Sequence, residues 1–218
     1  HEQNRQLSVF AEEETDKFYV GCDDNCIYQA NMHSANAREA PQLRKFTGHE
    51  APITKIALHP GKSMSESKAN AGILTDMSEL MLSASMDWKI KLWYPQSTSS
   101  TDVPSIYTFE SSQEFVYDVQ WSPVHPSIFA SVDGDGFIDI WDINKDVEQP
   151  IARKKVNEHQ VGSAGFRDVD DESAQLPQVV VDGRRIAIGD QDGYVSIWDT
   201  NKELYMPTQQ DFDQMENL

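Results

Sequence analysis

The sequence predicts an all-β protein in which one four-stranded unit is written several times, and three observations predict it. The first is a recurring hairpin. "SASMDWKIKLWYP" (83–95), "SVDGDGFIDIWDI" (131–143) and "IGDQDGYVSIWDT" (188–200) each pass from an Asp near a turn into alternating apolar positions that end on Trp. The second is the run upstream of each hairpin: "ITKIALHP" (53–60), "VYDVQWSP" (116–123) and "VGSAGF" (161–166) are strand-like, with apolar residues such as Ile53, Ile56 and Leu58. The third is a short fourth run between one hairpin and the next first strand, such as "LRKFTGH" or "SIYTFES". No stretch carries a convincing helical period, whereas short strands bounded by Gly and Asp turns recur throughout.

Taken in order, the elements keep step with one another. The final Trp residues, Trp93, Trp141 and Trp198, lie 48 and 57 residues apart, and Asp87, Asp135 and Asp192 precede them at a constant distance. A weaker copy, "VGCDDNCIYQA", places Asp24 at the Asp position and Ala30 at the Trp position, 63 residues before Trp93. Propeller blades repeat at about 40–45 residues, so these intervals require insertions. Polar stretches supply them: 61–78 and 167–179 interrupt the unit between its first and second strands, and "YPQSTSSTDVPS" (94–105) follows its third. All three read as surface loops. The expected organisation is a flexible stretch over 1–16, half a blade over 17–47, blades over 48–109, 110–155 and 156–206, and an acidic tail over 207–218.

Composition bounds the function. The 218 residues are 39% hydrophobic and 25% charged, an ordinary globular mixture able to bury a core. Thirty-six acidic against 18 basic residues give a formal charge of −18. Nucleic acid and anionic membrane would both be repelled by that charge. It serves either solubility or a surface matched to a basic partner. No apolar run reaches the length of about 18 residues that a membrane helix needs. The chain opens without Met and without a signal peptide, and is expected to be a piece of a longer cytosolic protein. Cys22 and Cys26 find no companions for a zinc set and are expected to be reduced thiols. No phosphate-binding loop, dinucleotide fingerprint, EF-hand spacing or G-x-S-x-G elbow occurs, so no catalytic residue, metal, cofactor or small-molecule substrate is expected.

With "FTGH" (46–49), "IKLW", "IDIW" and "VSIW", the sequence resembles the WD40 family of β-propellers. The resemblance implies a buried hydrogen-bonded chain of His49, Ser83, Asp87 and Trp93 in the second blade. It assigns Asp24, Asp135, Trp141, Asp192 and Trp198 as signature positions of the other blades. The set is complete only once. Ser112 stands at the His position before the third blade, Asn157 or His159 before the fourth, and the first blade lacks the Trp.

A closer resemblance lies in "SASMDWKIKLWYP" and "FVYDVQWSPVHPSIFASVDGDGFIDIWDIN" (115–144), which are similar to the intermediate chains of cytoplasmic dynein. In that family an S-x-D-W turn takes the place of D-G, and V-Y-D-V-x-W-S-P-V-H-P stands here at 116–126. The likeness covers roughly residues 17 to 200 and is strongest from 80 to 145. It implies a partial propeller, about three and a half of about seven blades. It also implies a non-catalytic, cytoplasmic subunit that docks on the dynein heavy chain in minus-end-directed microtubule transport. Light-chain and dynactin binding would belong to an N-terminal part that this chain does not contain. The alternatives are an axonemal or intraflagellar dynein intermediate chain, and an unrelated WD40 adaptor such as a ubiquitin-ligase substrate receptor.

Four residues are candidates for contact with a partner: Trp88, Phe115, Tyr117 and His125. Trp88 sits at a hairpin tip where Gly or Asn would serve the backbone better, so it is either an anchor or packing for a neighbouring loop. Open strand edges are expected to favour self-association.

Overall fold

The computed structural model describes residues 8–11, 17–31, 44–61, 80–95, 101–156, 161–167, 183–190 and 193–215. Their strands form four sheets, each built from one stretch of the chain except that the first also receives one later strand. The first contains β1 (Ser8–Ala11), β2 (Lys17–Gly21), β3 (Ile27–Asn31) and β4 (Arg44–Phe46). The second contains β5 (Ile53–Leu58), β6 (Met81–Ser85) and β7 (Ile90–Trp93), and is completed by β9 (Tyr107–Phe109). Between β7 and β9 the chain makes β8 (Asp102–Val103), which returns to pair parallel with β4 of the first sheet. The third sheet is β10 (Val116–Trp121), β11 (Ile128–Asp133), β12 (Phe137–Asp142) and β13 (Ala152–Lys155). The fourth is β14 (Val161–Arg167), β15 (Arg185–Asp190) and β16 (Val195–Asp199). Within each unit the pairing is antiparallel, as short connections require. First strands of successive sheets lie against one another, β1 on β5, β5 on β10 and β10 on β14.

Alternation along each strand gives every sheet two apolar faces, and the core is three layers between four sheets. Each sheet turns the face bearing its terminal Trp towards the sheet before it; we call this the leading face and its opposite the trailing face. Trp93 packs with Tyr19, Ile27, Phe46 and Val103 of the first sheet, its indole edge-on to Phe46 with centroids 5.7 Å apart. Trp141, Phe129 and Trp121 pack with Leu82, Ile90, Leu92 and Phe109 of the second. Ile186, Ile188 and the half-buried Trp198 pack on Ile138 and Ile140 of the third, and Lys154 caps the Trp198 ring at 4.1 Å. The first and second sheets approach so closely at Gly21 that a Cβ there would lie 2.7 Å from Ile53 Cγ2. Polar ties reinforce the layers. Thr54 donates to the Val116 carbonyl at 2.6 Å, and His59 Nε2 to that of Pro126 at 2.8 Å.

Three features depart from the expected organisation. Residues 8–11 of the supposed flexible stretch pair with β2, so the first unit has four strands of its own instead of half a set. The 94–105 insertion is not wholly a surface loop, because Val103 is fully buried in the first sheet and Lys45 N–H donates to Thr101 O at 2.7 Å.

The acidic tail contains a helix. After α1 (Lys202–Tyr205), α2 spans Gln209–Met215 and buries Phe212 and Met215 in the layer between the second and third sheets. Thr208 and Asp211 cap it reciprocally. The Thr208 amide and hydroxyl donate to Asp211 Oδ2 at 2.6 and 2.8 Å, and the Asp211 amide donates to Thr208 O at 3.2 Å. Phe212 and Met215, three residues apart on one face, drive the docking that the acidic composition concealed.

Candidate interaction surface

The hairpin turns and the loops that lead into the first strands share one end of the sheets. Met86 N–H donates to Pro52 O at 3.1 Å, and Gly134 N–H to Phe115 O at 2.9 Å, so each tip is tied to the start of its own sheet. In all four hairpins the residue five places before the terminal Trp position has positive φ: Asn25 at 68°, Trp88 at 70°, Gly136 at 81° and Gly193 at 85°. Gly adopts this conformation freely and Asn at small cost, whereas a Cβ-bearing aromatic is strained by about 1 kcal/mol or more. Trp88 is nonetheless there, and 47% of it is exposed.

Below Trp88 the predicted chain of polar groups is complete. Trp93 Nε1–H donates to Ser83 Oγ at 2.8 Å, Ser83 Oγ lies 2.7 Å from His49 Nε2, and His49 Nδ1 lies 2.7 Å from Asp87 Oδ2. One tautomer satisfies every link: indole to hydroxyl, hydroxyl to Nε2, Nδ1–H to carboxylate. Burial pushes His49 below the ordinary histidine value despite the attraction of Asp87, which keeps the imidazole neutral. Burial also opposes the charge on Asp87, but His49 and the amides of Glu50 and Lys89 outweigh it and hold the carboxyl below its usual value. Those amides donate at 3.0 Å each, so the relay fixes both the turn and the loop facing it.

The order Ser–His–Asp is also that of a nucleophile relay. Ser83, however, is fully buried and its oxygen accepts the Trp93 indole hydrogen, so no acyl group reaches it. Among the described residues no cluster of His, Cys, Asp and Glu is arranged to hold a metal ion, and both cysteines are free thiols.

The third sheet meets the same demand differently. Trp141 Nε1–H donates to Ser131 Oγ at 3.3 Å, and Ser112 reaches a carboxylate at 3.2 Å, but that carboxylate is Asp133. Asp135, the residue aligned with Asp87, is exposed. The correction follows from the turn: with Gly136 at its left-handed position, Asp133 accepts from the amides of Asp135 and Phe137 at 3.1 and 3.0 Å and points back into the sheet. Arg153 of β13 then bridges Asp133 at 3.2 Å and Asp139 at 3.3 Å, and Ser111 donates to Asp139 at 2.9 Å. Burial pushes both carboxyls above their usual value in spite of Arg153. This network was missed in the sequence because it is built on Arg153, in the outer strand. Asp190 repeats the Asp133 position in the fourth hairpin, accepting from Tyr194 N–H at 2.9 Å. Asp192 lies outside the described residues. In the first hairpin the exposed Asp24 accepts from Cys26 N–H at 3.3 Å and from the Tyr28 hydroxyl at 2.7 Å.

Of the four candidate contact residues, three share the turn end. Phe115 is 38% exposed, and the half-buried Tyr117 is edge-on to it at 6.4 Å. Tyr194, at the fourth hairpin, adds 69% exposure. Glu50, Glu110 and Asp135 are exposed, and Lys89, next to Trp88, pairs with Glu110 at 3.2 Å. His125 is not among them. It is 2% exposed at the opposite end, between β10 and β11, with Nδ1 3.3 Å from Ser127 Oγ and Nε2 3.7 Å from Asp211 of α2. Pro123 and Pro126 turn the chain so tightly that the imidazole folds inwards, where α2 closes over it.

Comparison with known proteins agrees with this architecture. Residues 40–94 and 104–142 match the WD40 family, described as WD domain, G-beta repeat. Over 204 residues the chain is 30% identical to the cytoplasmic dynein 1 intermediate chain of Drosophila melanogaster, an alignment covering 94% of this chain. Together these matches support a WD40-repeat fragment of the dynein intermediate-chain type. It spans about a quarter of that relative's length, 26%. The second and third sheets therefore fall within the WD40 match, and Trp88 stands at a turn position held by Asn25, Gly136 and Gly193 in the other hairpins.

Proposed function

We propose that this chain is a non-catalytic cytoplasmic scaffold of the dynein intermediate-chain type whose turn end binds the dynein heavy chain in microtubule-based transport, with Trp88 as the anchor. The observation that carries the reading is Trp88 itself: strained at φ 70° and 47% exposed, it costs the isolated fold free energy in two ways. A relay beneath it, from Asp87 through His49 and Ser83 to Trp93, fixes the backbone of the turn that carries it. Covering such a ring yields about 2 kcal/mol or more. The net charge of −18 favours a basic partner surface.

The test is capture of the heavy chain by the complete subunit carrying Trp88→Gly, with Lys89→Ala as control. The expected result is a loss of capture for Trp88→Gly alone, with no fall in melting temperature. Unchanged capture by a folded Trp88→Gly protein refutes the anchor.

A further inference from the structure

The outer strands β4, β9 and β13 can be compared position by position. Ile27, Ile90 and Ile138 each stand three residues before the terminal Trp position, and their outer-strand partners are Phe46, Phe109 and Lys154. Phe46 and Phe109 are 1% exposed and lie edge-on to Trp93 and Trp141, with centroids 5.7 and 5.0 Å apart. Lys154 is exposed and meets Trp198 with its ammonium, 4.1 Å from the ring centroid on the trailing face. β13 thus carries a cation where the other two outer strands bury a phenyl ring. Arg153 and Lys155 flank it, and no other three basic residues stand in succession in this chain of net charge −18. All four residues of β13 are exposed, and among the described residues no strand lies beyond it.

The first sheet shows what such an edge accepts. Its outer strand β4 also carries basic residues, Arg44 and Lys45, and its edge is taken by the two residues of β8. Asp102 stands opposite Lys45 and Val103 opposite Phe46, while the Lys45 amide donates to Thr101 O at 2.7 Å. An acidic residue is therefore matched to the cation and an apolar one to the phenyl ring. In β13 Arg153 takes the place of Lys45 and Lys154 that of Phe46, so an occupant has to be acidic at successive positions. Asp133 and Asp139 engage Arg153. Lys154 and Lys155, over Trp198 and Phe137 on opposite faces of the strand, remain to meet two successive carboxylates. We propose that β13 is a docking edge for an extended acidic segment of a partner protein, which adds to the third sheet as a further strand. The net negative charge of the chain does not prevent this, because charges more than about 8 Å away are largely screened at physiological salt. The edge is distinct from the turn end, and the proposal does not rest on the Trp88 anchor.

Fluorescence anisotropy tests it, with the complete subunit and a fluorescein-labelled peptide of alternating Asp and Glu. Saturable binding is expected. Lys154→Glu together with Lys155→Glu weakens it by about tenfold or more through charge reversal. Lys202→Glu, an exposed control, leaves it unchanged. The same peptide N-methylated at alternate residues keeps its charge but loses strand hydrogen bonds, and binds about tenfold more weakly. Hydrogen exchange on the wild-type complex shows amides within 152–155 gaining protection. These last two measurements need no variant, and circular dichroism checks that the substituted proteins are folded. Absence of binding overturns the proposal and leaves the lysines as guards against edge pairing. Binding that ignores the double substitution, equal binding of the N-methylated peptide, or no protection at 152–155 overturns it as well.

Discussion

The second and third sheets use the same hairpin to bury an indole, yet they tie it down with opposite chemistry. In the second, a neutral imidazole mediates between one hydroxyl and one carboxylate, so a single charge is buried and each donor has an acceptor. In the third, one guanidinium serves two buried carboxylates, and Asp139 Oδ1 remains buried with no hydrogen-bond partner. The exchange reaches the strands beside them. Lys91, which donates to Thr108 at 2.8 Å, occupies the place that Asp139 fills opposite Arg153. A WD-type turn thus requires a satisfied buried network but not one set of residues. The relay of the second sheet is saturated, whereas the network of the third depends on one side chain.

That contrast is broken most severely at Arg153. Arg153→Met leaves Asp133 and Asp139 buried without their counter-charge, and the expected loss is about 3 kcal/mol, measured by urea unfolding at neutral pH. Asp139→Asn in the same background should recover part of it.

Asp87→Ala should cost about 2 kcal/mol, since it strands His49 Nδ1–H and the amides of Glu50 and Lys89. Asp24→Ala, on an exposed turn, should cost well under half of that. Equal denaturation midpoints for the two variants contradict the relay.

The pH response sharpens the comparison, because the two networks titrate in opposite directions. Burial lowers His49, His125 and His59, the last to about 4. Unfolded histidines then bind more protons than folded ones, so stability is full above about pH 6.5 and is lost as pH falls from there. Asp133 and Asp139 are raised from 3.8, so their contribution is full below 3.8 and is lost as pH rises through the folded values. Unfolding midpoints should therefore fall from pH 6.5 towards 4, and His59→Gln should flatten that fall. For Asp139→Asn the midpoints should fall more steeply with acid than for wild type, because a raised carboxyl no longer gains a proton there.

The smallest effect is expected at the turn. Trp88→Gly should stabilise the chain by about 1 kcal/mol through relief of its positive φ, whereas Gly136→Ala, the reverse exchange in the third sheet, should destabilise by a similar amount. A loss of melting temperature in Trp88→Gly would show that the indole packs within the fold.

How much was legible depended on whether a residue's role was local. Alternation and turn residues wrote the hairpins and upstream strands in short windows, and the His49, Ser83, Asp87 and Trp93 set was implied by the resemblance to WD40 repeats. Arg153 was illegible because it reaches Asp133 across 20 residues, and nothing in "ARKK" marks an arginine that faces inwards. Val103 joins a sheet other than its own unit's. His125 looked like a surface residue because its cover, α2, comes from 86 residues further along the chain. The helix over 209–215 was not read from the sequence, where an acidic composition hid Phe212 and Met215, whose burial depends on the sheets beside them.

The sequence by itself determined the repeat, the hairpins and the faces that each strand presents, because these rest on a two-residue period and on turn chemistry; the one complete polar relay was implied by the resemblance to WD40 repeats. Tertiary structure decided which carboxylate enters the third network, where the 94–105 segment returns, and that α2 seals His125. Each of these depends on which sheet stands beside which, and burial is a property of neighbours rather than of a residue's own place in the chain.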